Sequence, residues 1–180
     1  FQSLKGRQKI LSFSYYLIFF ILAIFIGLRH EIGVDWDQYV SIINRFESNT
    51  TLEEELISFS PGYMFLSWIG YQLGKNVYLV NFISALIFLS GLLSYSNKQE
   101  YPWLSILISF PVLIVVVGLG YTRQACAIGF EFFALNAFHR MNYYKSFILF
   151  FIGSTFHISL FPITLLLIKK PSKKIFKVKK

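Results

Sequence analysis

Three polar residues close to the end of the first apolar run carry the side chains best suited to chemistry. Asp35 and Tyr39 are four residues apart, so a helix places them on one face, and Arg29 stands just before them. A carboxylate, a phenol and a guanidinium suit a general base, a partner for a sugar hydroxyl and a phosphate clamp. The simpler interpretation is that Asp35 caps a helix, with Gln38 as its capping-box partner.

The residues after Asp35 are spaced to form the helix that would position this group. Following a break at Gly33, apolar side chains recur at intervals of three and four residues: Trp36, Tyr39, Val40, Ile43 and Phe46. The pattern predicts a short amphipathic helix that lies on a membrane or on a helical bundle.

The rest of the chain is too apolar to form a water-exposed surface. Hydrophobic residues make up 55% of its 180 residues and charged residues 14%, against about 25% charged in soluble domains. Six apolar runs are each long enough, or nearly so, to cross a membrane as helices: 11–28, 56–74, 77–96, 101–122, 124–138 and 146–168. We therefore predict an all-α, polytopic transmembrane bundle of about six membrane helices plus the short amphipathic helix on its outer face.

The uneven distribution of charge predicts how this bundle is oriented. Seven of the nine acidic residues lie between positions 31 and 55, and seven of the 17 basic residues lie in the last twelve positions. Under the positive-inside rule, residues 29–59 form an extracytoplasmic loop and 169–180 a cytoplasmic tail. Run 56–74 contains Pro61-Gly62 and either spans the membrane or forms a re-entrant or interfacial helix. With six crossings it spans.

Two residues within or at the edge of the apolar runs are candidates for a buried site. Arg123 follows Gly118-Leu-Gly120 and either contacts a phosphate group or extends to the interface from a helix end. His157 lies near the middle of its run and is either a core residue bonded to a carbonyl or a proton carrier. Six crossings would place Arg123 near the inner end of its helix, far from Asp35.

The motifs around these residues resemble, in order, those of a known family. Residues 29–39 read Arg-His-Glu-Ile-Gly-Val-Asp-Trp-Asp-Gln-Tyr and resemble the Arg…Gly-x-Asp-aromatic-x-x-Tyr signature of EpsG-type and related Wzy-type polysaccharide polymerases. Residues 60–63 (Ser-Pro-Gly-Tyr) resemble the opening of the family's next helix, and 122–125 (Thr-Arg-Gln-Ala) its Arg-Gln helix start. Residues 156–159 (Phe-His-Ile-Ser) resemble its Phe-His-x-Ser element.

The resemblance implies a multi-pass protein of the bacterial inner membrane that joins glycan repeat units carried on undecaprenyl diphosphate, in exopolysaccharide, capsule or O-antigen synthesis. It also implies that residues 1–180 form one transmembrane domain that is part of a longer family domain. The catalytic residues would be Asp35 as base, Arg29 and Arg123 on the diphosphate, and His157. The residues that bind the sugar would be Trp36, Asp37 and Tyr39.

Other partners and other classes follow from the same sequence. Besides the lipid-linked oligosaccharide and the bilayer, other membrane proteins of polysaccharide assembly are expected partners, and nucleic acid is not. Three scattered His and one Cys give no metal-ligand spacing, and nucleotide fingerprints are lacking, so we expect no metal and no cofactor. A transporter or flippase of lipid-linked sugars and a non-catalytic subunit of an envelope complex stay open as alternatives.

Overall fold

The computed structural model describes residues 2–48, 53–54 and 60–162, with the side chains of residues 13–47, 53–54 and 60–162. Its described residues form helices and turns, and no β-strand occurs among them. The main helices are α1 (Gln2–Gly27), α2 (Trp36–Arg45), α3 (Pro61–Gln72), α4 (Val77–Ser96), α5 (Pro102–Ser109), α6 (Thr122–His139) and α7 (Tyr143–Phe156). A π-helical segment, Phe110–Gly118, continues α5, and short 3₁₀ turns cover Phe46–Ser48 and Ile158–Leu160.

Five of these helices pack side by side and run between two ends of a bundle. The upper end of the bundle is the end at which α1, the π-helical segment and α7 finish and at which α4 and α6 begin. There, Gly27 at the end of α1 packs against Phe82 of α4. At the opposite, lower end, Ser105 of α5 donates a hydrogen bond to Ser96 at the end of α4, at 3.1 Å. The buried core between these helices includes Phe88, Leu89 and Leu92 of α4.

Helices α4 and α6 run in the same direction and approach each other closely. A Cβ built on Gly91 of α4 would lie 2.2 Å from the carbonyl oxygen of Gly129 in α6. No larger side chain fits there, and small residues are what allow two helix backbones to come this close. The contact sets the two helices in register, so that Asn81 of α4 and Thr122 of α6 lie side by side at the upper end.

A proline in the sequence explains why the segment after α5 is π-helical. Pro111 has no N–H and cannot donate to the carbonyl four residues earlier, which disfavours a regular α-helix at this point. The segment ends at Gly118, whose carbonyl oxygen points out of the helix end and needs a partner. That partner is Arg29, whose Nη1 donates to it at 2.9 Å.

Helices α2 and α3 lie together across the upper end rather than along the bundle. Gly62, at the start of α3, packs against Phe156 at the end of α7, and Gly70, near its end, packs against Val80 of α4. Both ends of α3 are therefore at the upper end. The expectation that 56–74 crosses the bundle is wrong for its described residues, because a 12-residue helix with Pro61 at its first position lies across the top. The alternative that this segment is re-entrant or interfacial agrees with its placement.

The all-helical class and the amphipathic helix after Asp35 are confirmed, and six membrane-length helices are not. Among the described residues, α4 has the length and apolar character to cross a membrane, whereas the apolar stretches Phe13–Gly27 and Pro102–Gly118 are shorter. The run 146–168 is not one helix either, because α7 ends at Phe156 and His157 has an extended backbone. The tail 169–180 lies outside the described residues.

Candidate functional site at the upper end of the bundle

The loop between α1 and α2 carries Asp35 to the start of α6. Gly33 has a φ of +106°, and a Cβ at this position would lie 2.6 Å from the carbonyl oxygen of Leu119 and 2.9 Å from the Cα of Gly120. Only glycine combines this backbone conformation with such close packing. The loop is thereby fixed against the turn that leads into α6.

Arg29 is buried beneath this loop, and protein atoms occupy most of its donors. Arg29 as a whole residue is only 4% exposed. Nη1 donates to the carbonyl oxygens of Ile26 at 3.2 Å and Gly118 at 2.9 Å, and Nε donates to Ile32 at 3.3 Å. Nη2 donates to the hydroxyl of Thr122. Arg29 therefore joins the end of α1, the end of the π-helical segment and the start of α6, instead of facing an open site.

The polar contacts of Arg29 continue into the bundle. The Thr122 hydroxyl donates to Oδ1 of Asn81 at 3.1 Å, and both residues are almost fully buried. Nδ2 of Asn81 has no hydrogen-bond partner among the described residues. Buried polar groups are usually paired, so this amide marks a position where a further acceptor would be stabilised.

Asp35, Tyr39 and Arg123 meet above this buried network. The Tyr39 hydroxyl donates to Oδ2 of Asp35 at 3.1 Å, and Nη2 of Arg123 lies 3.9 Å from the same oxygen. The side chains of Asp35 and Arg123 are 24% and 22% exposed, so both can reach a ligand. Burial, and then the negative charge of Asp35, raise the pKa of Tyr39, so its hydroxyl stays protonated and keeps donating.

The structure does not support the capping role of Asp35. Asp35 occupies the position before α2, but its side chain makes no capping hydrogen bond. Gln38, the supposed capping-box partner, instead accepts a hydrogen bond from Nη2 of Arg123 at 2.9 Å. The capping-box interpretation is wrong because the Asp35 carboxylate turns towards Tyr39 and Arg123.

Arg123 lies at the upper end, contrary to the placement expected from six crossings. It is the second residue of α6, and α6 begins at the upper end because α3 does not cross the bundle. Its guanidinium lies 5.8 Å from the centre of the Tyr39 ring. Nε of Arg123 is buried with no hydrogen-bond partner among the described residues. Unlike Arg29, Arg123 is partly exposed, so its guanidinium can reach a ligand.

His157 also belongs to the upper end, not to the middle of a helix. It follows the last residue of α7, and its Nδ1 is 2.8 Å from the hydroxyl of Ser159. Burial lowers the pKa of His157, the positive charge of Arg123 lowers it further, and Asp35 raises it. His157 is thus near both charged residues, and its neutral form is favoured.

The two remaining sugar-binding candidates differ in exposure. Trp36 is 9% exposed and packs against His30 and Tyr78, with ring centres 5.6 Å and 5.9 Å away. The Tyr78 hydroxyl hydrogen-bonds to Nδ1 of His30 at 2.7 Å. Asp37 is exposed on α2. A stacking surface for a ligand would therefore be offered by His30 and Tyr78, which are more exposed than Trp36.

Several of these site residues were not predicted from the sequence. Gln38 was assigned to capping, and Asn81, Thr122 and Tyr78 were read as parts of apolar runs. An asparagine within a run of apolar residues was the available signal for Asn81, since such a side chain needs a polar partner. Among the described residues, no group of three or more His, Cys, Asp or Glu is placed to hold a metal ion.

These observations define a helical protein with a carboxylate, two arginines and a histidine gathered at one end of its bundle. A comparison with protein-family models matches residues 12–180 to the EpsG family, nearly the whole chain. The chain therefore belongs to the EpsG family. Comparisons with curated proteins and with solved structures found no match.

Proposed function

We propose that the protein is a membrane-embedded polymerase that joins glycan repeat units carried on undecaprenyl diphosphate. Two observations support this function. Family membership points to a membrane protein of the polysaccharide-polymerase type. The arrangement of Asp35, Tyr39 and Arg123 puts a proton acceptor beside a partly exposed cation.

The surface of the bundle supports placing it in the bilayer. Large apolar side chains on α1 and on the fifth helix are exposed, among them Phe13, Phe20, Leu107 and Ile108, each at least 60% exposed. A protein surrounded by water rarely leaves such extended apolar faces open. We therefore place α1, α4, α5 with its π-helical segment, α6 and α7 within the membrane, and α2 and α3 at its surface.

The charges at the two ends support an orientation. Among the described residues, the upper end carries four basic residues (Arg29, Arg45, Lys75 and Arg123) together with the acidic residues of the loop and α2. The lower end carries six basic residues (Lys5, Arg7, Lys9, Lys98, Arg140 and Lys145) and the acidic Glu100. The positive-inside rule then puts the lower end in the cytoplasm and the candidate site at the outer face. This is the face at which repeat units would be joined.

The chemistry follows from the geometry of Asp35 and Arg123. A hydroxyl of one repeat unit attacks the anomeric carbon of another, and its proton passes to Oδ1 of Asp35, because Oδ2 is held by Tyr39. The bond between the anomeric carbon and the diphosphate oxygen breaks, and Arg123 stabilises the charge of the departing lipid diphosphate. The N-terminus of α6 adds a favourable field for an anion.

The other residues have supporting roles in this proposal. Arg29 positions the start of α6 through Thr122 and Gly118, in place of the direct contact with diphosphate that its sequence position suggests. His157 in its neutral form hydrogen-bonds to the sugar or relays a proton. Trp36 supports the exposed rings of His30 and Tyr78, on which a sugar stacks.

Reconstitution tests this function against the two alternatives. The full-length protein is placed in vesicles with a fluorescent undecaprenyl-diphosphate-linked repeat unit, and products are separated by size. A ladder of polymer supports the proposal. Movement of the donor between leaflets without polymer would indicate a lipid-linked-sugar transporter. The absence of both polymer and donor movement would favour a non-catalytic subunit.

A further inference from the structure

A polar cavity lies at the lower end of the bundle, about one α6 length away from the candidate site. It is bounded by α4, α6 and α7, has a volume of about 550 Å³, and its polar lining consists of Ser94, Lys98, Asn136, Arg140, Asn142 and Lys145. Because α6 has 18 residues, the two sites are separated by about 27 Å. The volume is in the range of cavities that bind small molecules, about 300–1,000 Å³.

The cavity carries positive charge without a compensating carboxylate. Its three charged lining residues are Lys98, Arg140 and Lys145, and none of them forms an ion pair with another residue described by the structure. Burial lowers the pKa of Lys98, and the charge of Arg140 lowers it further. Cations held together in this way favour the binding of an anion.

A buried amide is a second, independent indication of which groups the ligand carries. Asn136 is 6% exposed and lines the cavity; its Nδ2 donates to the hydroxyl of Ser94 at 3.2 Å. Its Oδ1 is buried and has no donor among the described residues. A ligand that combines a negative charge with a hydroxyl group would satisfy both the cations and this oxygen.

The apolar part of the lining indicates where such a ligand comes from. Phe133 and Leu149 also bound the cavity, and they lie about two turns from the lower ends of α6 and α7. The cavity therefore continues from a basic rim into the apolar depth of the bundle. A lipid with an anionic headgroup and an acyl chain matches a charged rim that leads into an apolar interior. Basic pockets between membrane helices are known to hold such headgroups.

We propose that this cavity binds an anionic phospholipid of the cytoplasmic leaflet whose headgroup is a phosphate diester bearing free hydroxyls, such as phosphatidylglycerol. The phosphate contacts Arg140 and the two lysines, and a headgroup hydroxyl donates to Asn136. The proposal rests on the membrane placement proposed above and not on polymerase activity.

Lipid binding is measured on the purified full-length protein after delipidation, by native mass spectrometry with defined lipids and no glycan donor. We expect retention to fall from phosphatidylglycerol to phosphatidylmethanol, which has the same charge but no hydroxyl, and further to phosphatidylcholine. Arg140→Gln should weaken phosphatidylglycerol binding about tenfold, as expected for one lost charged hydrogen bond. Lys75→Gln is the matched control, since this lysine pairs with Glu47 away from the cavity.

Three results would overturn the proposal. Equal retention of phosphatidylglycerol and phosphatidylcholine would exclude an anion site. Equal binding by Arg140→Gln and Lys75→Gln would place any such site elsewhere. Competition by glycerol phosphate or inorganic phosphate at the concentration of the lipid would assign the cavity to a soluble anion instead. Because no glycan donor is present, none of these results depends on whether the protein polymerises glycans.

Discussion

Replacing each of the two upper-end arginines by lysine should separate a positioning residue from a ligand-binding one. Arg29 donates four hydrogen bonds, three to main-chain carbonyls and one to Thr122. A lysine ammonium is a single point with three donors and cannot reproduce this planar fork. Hydrogen bonds to charged groups are worth about 1.5–3 kcal/mol each, so the loss of one or two destabilises the fold by about 2–5 kcal/mol.

Arg123→Lys should behave in the opposite way. Arg123 makes one hydrogen bond to Gln38 and a 3.9 Å ion pair with Asp35 at a partly exposed position. Solvent screening limits the contribution of such a pair to about 1 kcal/mol or less. The lysine variant should therefore keep its stability and lose polymer formation, because an ammonium cannot bind a diphosphate through two parallel hydrogen bonds.

The assay is a heating series in detergent, followed by size-exclusion chromatography of the surviving folded protein, with polymer formation measured in parallel. For a chain of this size, 2–5 kcal/mol corresponds to a shift of about 5–15 °C in the apparent midpoint for Arg29→Lys. An unchanged midpoint for Arg29→Lys would refute its positioning role. Wild-type polymer lengths from Arg123→Lys would remove Arg123 from the site.

Three further predictions concern the loop, the orientation and pH. Gly33→Ala should reduce activity more than Gly74→Ala, since both have positive φ but only Gly33 faces backbone within 3 Å; equal effects would contradict the packing argument. In spheroplasts, Val34→Cys should react with an impermeant thiol reagent and Tyr144→Cys only after lysis, both positions being exposed; the reverse pattern would invert the orientation. Burial and the charge of Arg123 lower the pKa of His157 below 6.5 in the folded protein. The unfolded chain therefore binds this proton more readily, so the free energy of unfolding should fall as the pH drops below 6.5. The same pH dependence in His157→Gln as in the wild type would contradict this.

The helical class and the amphipathic helix were predictable because both depend on local patterns. The spacing of Trp36, Tyr39 and Ile43 already determines which face of α2 is buried. The spacing of Asp35 and Tyr39 likewise predicted their contact across one turn, which the structure shows as a 3.1 Å hydrogen bond.

The position of Arg123 was not predictable in the same way, because it depends on how many segments cross the bundle. Because 56–74 was counted as a crossing, the predicted direction of every later helix was the reverse of the one in the structure. The hydropathy of this segment does not reveal that α3 lies across the upper end, since an apolar surface helix and a spanning helix have the same composition. The network of Arg29, Thr122 and Asn81 was hidden for a related reason, as it joins residues up to 93 positions apart.

The most direct test of the central claim is polymer formation by Asp35→Asn in vesicles supplied with a lipid-linked repeat unit. Asparagine has the same shape and can still accept the hydrogen bond from Tyr39, so the fold should be preserved. Removal of a general base typically lowers a rate by about 10²–10⁴-fold, and we expect a loss in this range at normal protein abundance. Glu47→Gln, at an exposed carboxylate on the same end, should retain wild-type activity. Polymer formed by Asp35→Asn at the wild-type rate would contradict the assignment of Asp35 as the base.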